Sequence, residues 1–288
     1  MKLAHLILTY TDPKQTERMI MNLWHPDSDF YIHVDEKIDI KPHLYLNEIK
    51  NVYLIKNRVE VRWAGYNTVK ATFSCIKEIE ATGKKYDYIN LMSGQDYPIK
   101  PLDYILAFLK EHQGKQFIEA INIEKDVKED MPKLNRFHLV NFTFRGKYKL
   151  EWLVNALFAP RKIPKELTIY GKAMFWMLTQ DAANYVVKKV EENKKILNFF
   201  QYSWGCDEFV FQTILMSSSY KDDVTNNHAR YVDWSAGGPH PKTLGVEDFD
   251  NLMKSEHLFA RKFKMSHDSE ILDLIDKNIL KDNKWLNS

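Results

Sequence analysis

Cysteine is scarce in this chain. Its 288 residues include only Cys75 and Cys206, far apart and each inside an apolar stretch. Such a pair makes neither a disulfide framework nor a zinc-ligand spacing, so a reduced, cytoplasmic setting is expected. Glycine and proline are also sparse, at ten each, which excludes collagen-like and low-complexity chains. No apolar run reaches the roughly 18 residues that mark a membrane-spanning helix, so none is expected. Met1-Lys2 leads into LAHLILTY, too short for a signal-peptide core with flanks, and no targeting segment is expected. Neither sign of charge dominates: 41 Lys and Arg against 39 Asp and Glu leave a net +2, which argues against a nucleic-acid partner. A Gly-x-Gly-x-x-Gly after the first strand, a phosphate-binding P-loop and Cys/His ligand spacings are all missing.

What is present is enough apolar residue, 44%, to build a packed core, arranged with two periodicities. Leu3–Thr9 reads as a buried strand. Asp12 and Pro13 then open a helix to about Trp24, with Asp at the N-cap and Pro at the first helical position. Strands are expected at 30–34, 51–55 and 88–92. Helices are expected over Tyr66–Ala81, where Val69, Phe73, Ile76 and Ile79 recur at three-to-four spacing, and over Leu102–Glu111. Strands alternating with helices predict an α/β fold, in which ligands bind beyond the carboxyl ends of the strands. Those ends place Tyr10, Asp35 and the 93–97 loop with Asp96 among the candidate contacts.

Residues 122–170 are polar, then basic and aromatic, and read as an excursion from the sheet. Within them 148–158 is helix-like, with Trp152, Leu153, Leu157 and Phe158 flanked by lysines and arginines. A helix lying on anionic lipid has this composition, as does a helix packed on the body with a solvated basic rim. A strand at 173–178, a helix over Gln180–Glu192, a second helix from Asp207 and a strand at 230–233 follow. No repeat or composition break divides the chain.

The residues most suggestive of chemistry are Asp207 and Glu208, which follow Gly205 and precede an apolar helix. A carboxylate kept ionised at a helix start beside Trp204 can take a proton from a sugar hydroxyl. Asp207 as a simple cap, with Glu208 complementing the helix dipole, is the plainer alternative. A second cluster joins Arg230, Trp234, His240 and Lys242, around a Gly/Pro loop, to Arg261 and Lys262. These side chains can hold an anion such as a diphosphate, or form a solvated basic surface. The turn Arg62-Trp63-Ala64-Gly65-Tyr66 can stack a base or sugar, or can simply pack. Asp-x-Asp at 27–29 and 248–250 is near chance, and neither follows a buried strand.

Taken in order, several stretches resemble the core-2/I-branching enzymes, the glycosyltransferase family that includes β-1,6-N-acetylglucosaminyltransferases and peptide-O-xylosyltransferases. They are Phe-Tyr-Ile-His-Val-Asp-Glu-Lys37, Val61-Arg-Trp-Ala-Gly-Tyr66, Tyr88-Ile-Asn-Leu-Met-Ser-Gly-Gln-Asp-Tyr-Pro-Ile-Lys100, Tyr170-Gly-Lys-Ala-Met-Phe-Trp176, Cys206-Asp-Glu208, Asp233-Trp-Ser-Ala-Gly-Gly-Pro-His-Pro241 and His257-Leu-Phe-Ala-Arg-Lys-Phe263. The resemblance implies a GT-A-type nucleotide-sugar transferase fold, with a mixed central sheet flanked by helices. It implies one domain over 1–288, with a nucleotide-binding part at 1–120 and an acceptor and catalytic part at 121–288. It implies inverting, metal-independent transfer of GlcNAc or xylose from a UDP-sugar to a glycan hydroxyl, with no cofactor.

Carried over by position, Glu208 is the base and Lys262 the phosphate-binding lysine. Leu8, Tyr10, Asp35 and Trp63 hold the nucleoside. Arg261 stands beside Lys262 in place of a metal, and Lys242, His240 and Arg230 compete for the second phosphate contact. Asp96, Glu119, Asp207 and Trp234 fall on the substrate side. The animal members have a membrane anchor and many disulfides, so the resemblance points to a bacterial-type relative acting on polysaccharide or lipid-linked precursors. Peripheral contact with the membrane would suit the latter. Two rivals are a metal-dependent transferase using Asp248 and Asp250, and a non-catalytic carbohydrate- or nucleotide-binding module.

Overall fold

The computed structural model describes residues 1–10, 12–280 and 283–287. Strand β1 (Leu3–Thr9) leads to helix α1 (Pro13–Leu23), whose N-cap Asp12 accepts a hydrogen bond from the Lys14 amide at 2.9 Å. Strand β2 (Ser28–Val34), a 3₁₀ segment (Lys41–Glu48) and β3 (Val52–Leu54) follow, then α2 (Tyr66–Ala81), β4 (Tyr88–Ser93), β5 (Asp96–Pro98) and α3 (Leu102–Glu111). The excursion opens with β6 (Ala120–Asn122) and the short helices α4 (Ile123–Asp126) and α5 (Met131–Asn135), and continues to α6 (Lys147–Leu157). After it come β7 (Tyr170–Lys172), β8 (Met177–Leu178), α7 (Gln180–Glu192), α8 (Lys194–Gln201) and α9 (Val210–Met216). The chain finishes with β9 (Arg230–Val232), α10 (Phe249–Lys254), β10 (Phe259–Arg261) and α11 (Glu270–Ile275).

The central sheet has five strands in the order β3-β2-β1-β4-β8. The first four are parallel, and β8 joins β4 antiparallel, so the sheet is mixed. Alternation of side chains divides the core into two layers. Ala4 and Leu6 of β1, with Ile89 and Leu91 of β4, pack beneath α2, α7 and α9 through Val69, Phe73, Ile76, Val186 and Ile214. Leu3 and Ile7, with Phe30, Ile32 and Met92, pack on α1 and α11 through Met19, Ile20, Ile271 and Leu272. Helices therefore cover both faces of an α/β sheet.

Three differences from the sequence-based expectation have physical causes. The strand expected at 173–178 is cut to Met177–Leu178, β8, which pairs with β4, while β7 just before it pairs with β6. The chain crosses from one sheet to another through Phe175 and Trp176. Gly171 allows that crossing, because a Cβ there would fall within the Phe209 ring. Helix α8 starts immediately after α7 because Asn193 caps it, accepting from the amides of Lys195 and Ile196 at 3.0 and 3.3 Å. Strand β10 lies in a stretch that reads as a basic cluster. It pairs antiparallel with β5 and parallel with β9. The second half of the chain thus completes sheets begun in the first.

Candidate active site

Chain order places a switch point between β1 and β4: β2 extends the sheet on one side of β1, and β4 on the other. Such a point opens a crevice beyond the carboxyl ends of the strands. Backbone bonds tie those ends together, with the Asp35 amide donating to Thr9 O at 2.9 Å and the Gly94 amide to Leu8 O at 3.0 Å. Leu8 is half-buried, and Tyr10, 60% exposed, projects from the β1 end. Asp35 is buried. Its Oδ1 accepts from the Lys37 and Val61 amides, and Oδ2 lies 3.6 Å from the Lys37 ammonium. Asp35 thereby folds the 35–61 loops over the crevice.

The Trp63 turn meets the acidic pair. Ala64, at φ 60°, turns its carbonyl to accept the Gly205 amide at 2.8 Å. Trp63 is exposed and packs edge-on to Trp204 at 5.1 Å and to His240 at 5.6 Å. Gly205 itself takes φ 63°, a left-handed conformation that glycine adopts without strain. It starts the 3₁₀ turn Cys206–Glu208, so both acids precede α9 rather than occupy its first turn. Neither caps that helix. No described side chain donates a hydrogen bond to either carboxylate or pairs with it as an ion. Burial, then the neighbouring Asp207, pushes the Glu208 carboxyl up to about 7, against the pull of Lys133 and Lys172. Burial likewise raises Asp207 to about 6. A base with a pKa near 7 is matched to proton abstraction near neutrality.

A second group of side chains is built on the β5-β10-β9 sheet. Register sets Arg261 opposite Asp96, whose Oδ1 accepts from Arg261 Nε at 3.0 Å and from the Ser93 hydroxyl at 3.0 Å. Asp96 Oδ2 lies 3.5 Å from Arg230 Nε. The Arg261 guanidinium also rests 4.2 Å from the Phe175 ring centroid. Lys262 is half-buried and has no carboxylate partner among the described residues. Desolvation lowers its pKa, helped by Arg261 and Lys264. A part-desolvated ammonium beside a guanidinium is suited to a polyanion. The 237–241 loop links the two groups, since His240 touches Trp63 while the Leu244 amide donates to Lys262 O at 2.9 Å.

Several expected contacts take other roles. Arg230 is not a phosphate ligand: it is 2% exposed and donates to Asn90 Oδ1, Leu91 O and His228 O, so its donors serve the protein interior. Asp96 has no exposed surface and cannot reach a substrate; it holds Arg230 and Arg261 instead. Lys242 is already paired, bonding both oxygens of Asp248 at 2.7 and 2.9 Å with Glu247 at 3.1 Å. The same bonds, with the Gly245 amide, occupy Asp248, while Asp250 is exposed on α10; the two are not a free acidic pair.

Glu119 lies 3.5 Å from His228, and its carboxyl is raised by burial. It shares a lysine neighbour, Lys172, with Glu208, because Ala120 and Lys172 are register partners. Trp234 is exposed after β9. Sequence reasoning passed over Lys133 and Lys172, the lysines whose charge acts on Glu208. Lys172 lies within the 170–176 stretch already singled out. Lys133 offered no signal, since it comes from the irregular excursion.

An α/β mixed sheet thus brings a buried acidic pair and a basic cluster to the carboxyl ends of its strands. A family model described as "Core-2/I-Branching enzyme" matches residues 3–255, and the chain belongs to this family, whose members are glycosyltransferases. Among curated proteins it is 24% identical to the human "Beta-1,3-galactosyl-O-glycosyl-glycoprotein beta-1,6-N-acetylglucosaminyltransferase", over 96% of this chain and 69% of that protein. It is 22% identical to rat "Xylosyltransferase 1" over 91% of this chain and 33% of that one, so it spans about a third of that relative's length. A solved galactosyltransferase, LgtC, superposes with a TM-score of 0.42 at 8% identity, covering 98% of this chain and 99% of the other. Among the described residues no helix is long and apolar enough to cross a membrane.

Proposed function

We propose that the protein transfers a sugar, GlcNAc or xylose, from a UDP-sugar to a hydroxyl of a glycan acceptor with inversion and without a metal. Glu208 removes the acceptor proton as the oxygen attacks the anomeric carbon, and UDP departs from the opposite face. Lys262 and Arg261 stabilise the diphosphate as its charge grows. Trp63 and Tyr10 border the nucleoside. Asp96 fixes Arg261 from behind without meeting substrate.

The observation that carries this reading is the unpartnered Glu208 carboxylate, raised to about 7 and held by the Gly205 turn beside Trp63 and Trp204. The named relatives, an N-acetylglucosaminyltransferase and a xylosyltransferase, support the two donor sugars. The test is incubation with UDP-GlcNAc and UDP-xylose, with and without EDTA, followed by NMR of the product anomer. A β-linked product formed equally in EDTA is expected. An α-linked product overturns inversion, and loss of activity in EDTA overturns the metal-free mechanism.

A further inference from the structure

Helix α6 is turned inside out relative to a helix of a water-soluble domain. Such a helix buries its apolar stripe and presents charge to solvent. No residue of α6 is buried. Glu151 and Asn155 face the body. Glu151 Oε2 accepts the Leu139 amide at 2.7 Å, and Asn155 exchanges two hydrogen bonds with the backbone of Phe137, both at 2.8 Å. Its bulky apolar residues face away: Tyr148, Trp152 and Leu157 are 72%, 71% and 71% exposed, and Leu150 and Leu153 are exposed too. Phe144 and Phe158 extend the patch at either end, also exposed.

The polar contacts that hold α6 in this orientation are specific, so the outward arc is a built surface that calls for an apolar occupant. The charges around it say which. Arg145, Lys149, Lys162 and Lys165 are all exposed, and none has an ion-pair partner among the described residues. Within 144–165 the one acidic residue is Glu151, which is spent on the body. Bulky aromatic and leucine side chains ringed by unpaired cations match a bilayer interface with anionic headgroups.

We propose that α6 and its flanks dock the protein on an anionic membrane surface, with Trp152 and Leu157 entering the headgroup–acyl boundary. The docking segment is tied to the candidate site. Asn141, just before it, accepts the Asn67 amide at 3.1 Å and donates to Gln201 O at 3.2 Å, between the Trp63 turn and the strand of chain that carries Glu208. Docking on α6 therefore places that crevice near the lipid surface. The proposal does not depend on the transfer reading, because binding is measured with neither donor nor acceptor present.

The experiment is co-sedimentation of the whole chain with vesicles of equal parts phosphatidylcholine and phosphatidylglycerol, against phosphatidylcholine alone. Binding to the anionic vesicles is expected, weakening as salt rises. Trp152→Glu with Leu157→Glu should reduce it at least about tenfold, with circular dichroism and thermal unfolding unchanged because both residues are exposed. Lys149→Gln and Lys162→Gln should each cost roughly fivefold. Lipids brominated on the acyl chain should quench tryptophan emission in the wild type, and less in Trp152→Phe. Absence of binding to anionic vesicles at low salt overturns the proposal. So does equal binding by the Trp152→Glu, Leu157→Glu variant. A dimer in sedimentation velocity that this variant dissociates would assign the patch to a second copy of the chain and overturn it as well.

Discussion

At the Asp96 end of the crevice the deeply buried charges are paired, whereas at the Glu208 end they are not. Asp96, with no exposed surface, lies between Arg230 and Arg261, and the buried Asp248 receives Lys242. Asp207 and Glu208 sit side by side with no cation in contact, and both carboxyls are raised by burial. Pairing limits the cost of burying charge and makes a rigid frame, on which Lys262, without an ion-pair partner among the described residues, is displayed. Leaving acids unpaired keeps them reactive at the expense of stability. One end of the crevice is a paired frame, and the other carries the proton exchange proposed for Glu208.

The sharpest way to break this contrast is Glu208→Gln, which preserves shape and removes the proposed base. Transfer should fall about 10²–10⁴-fold, with UDP affinity by calorimetry near wild type. Simultaneous loss of both would make the acidic pair a structural element. Asp207→Asn should cost less, and a larger effect there would invert the assignment.

Asp96→Ala tests the paired end. It leaves Arg230 buried without its counter-ion, so urea unfolding should register a loss of about 3–5 kcal/mol. A neutral outcome would mean that the backbone carbonyls alone satisfy Arg230. Lys262→Ala should lower UDP affinity and transfer together by roughly 2–4 kcal/mol, with little change in unfolding midpoint. Lys262→Arg should recover only part of the loss, since a planar fork does not replace a point charge.

The pH dependence sharpens the comparison further. Glu208 is raised from an ordinary 4.5 to about 7, so the folded state keeps a proton that the unfolded chain releases. Its contribution to stability is full below pH 4.5 and declines as pH rises to 7. At pH 8, where the wild type carries the penalty in full, Glu208→Gln should be more stable by about 1–3 kcal/mol after allowing for solvent screening. Over the same interval kcat/KM of the wild type should climb, with an apparent pKa near 7, and the variant should lack that limb. A stability curve in the variant that still falls between pH 4.5 and 7 as steeply as wild type would move the effect to Asp207.

Local rules made much of the framework legible. Leu3–Thr9, Tyr66–Ala81, Leu102–Glu111 and Gln180–Glu192 have the bounds that their periodicity predicts, because each buries one stripe or two faces of a regular element. Asp12-Pro13 opened α1 by chemistry confined to four residues. The acidic pair after Gly205 was also visible, since a glycine and two acids before an apolar run form a local pattern. Short strands were not legible in the same way. β5, β7, β8 and β10 have two or three residues each, too few to show a period, and exist because partners distant in sequence complete their ladders.

The roles of charged side chains divided along the same line. Arg230, Lys242 and Arg261 look alike in sequence, and only packing made the first an interior strut, the second a partner of Asp248 and the third a partner of Asp96. In α6 the sequence showed apolar and basic residues at helical spacing but not which face would turn outward. That depended on hydrogen bonds that Glu151 and Asn155 accept from the amides of Leu139 and Phe137, 12 and 18 residues away. Periodicity is written in neighbouring residues and can be read from them; orientation and charge pairing are set by contacts across the fold, which the chain reveals only once it is folded.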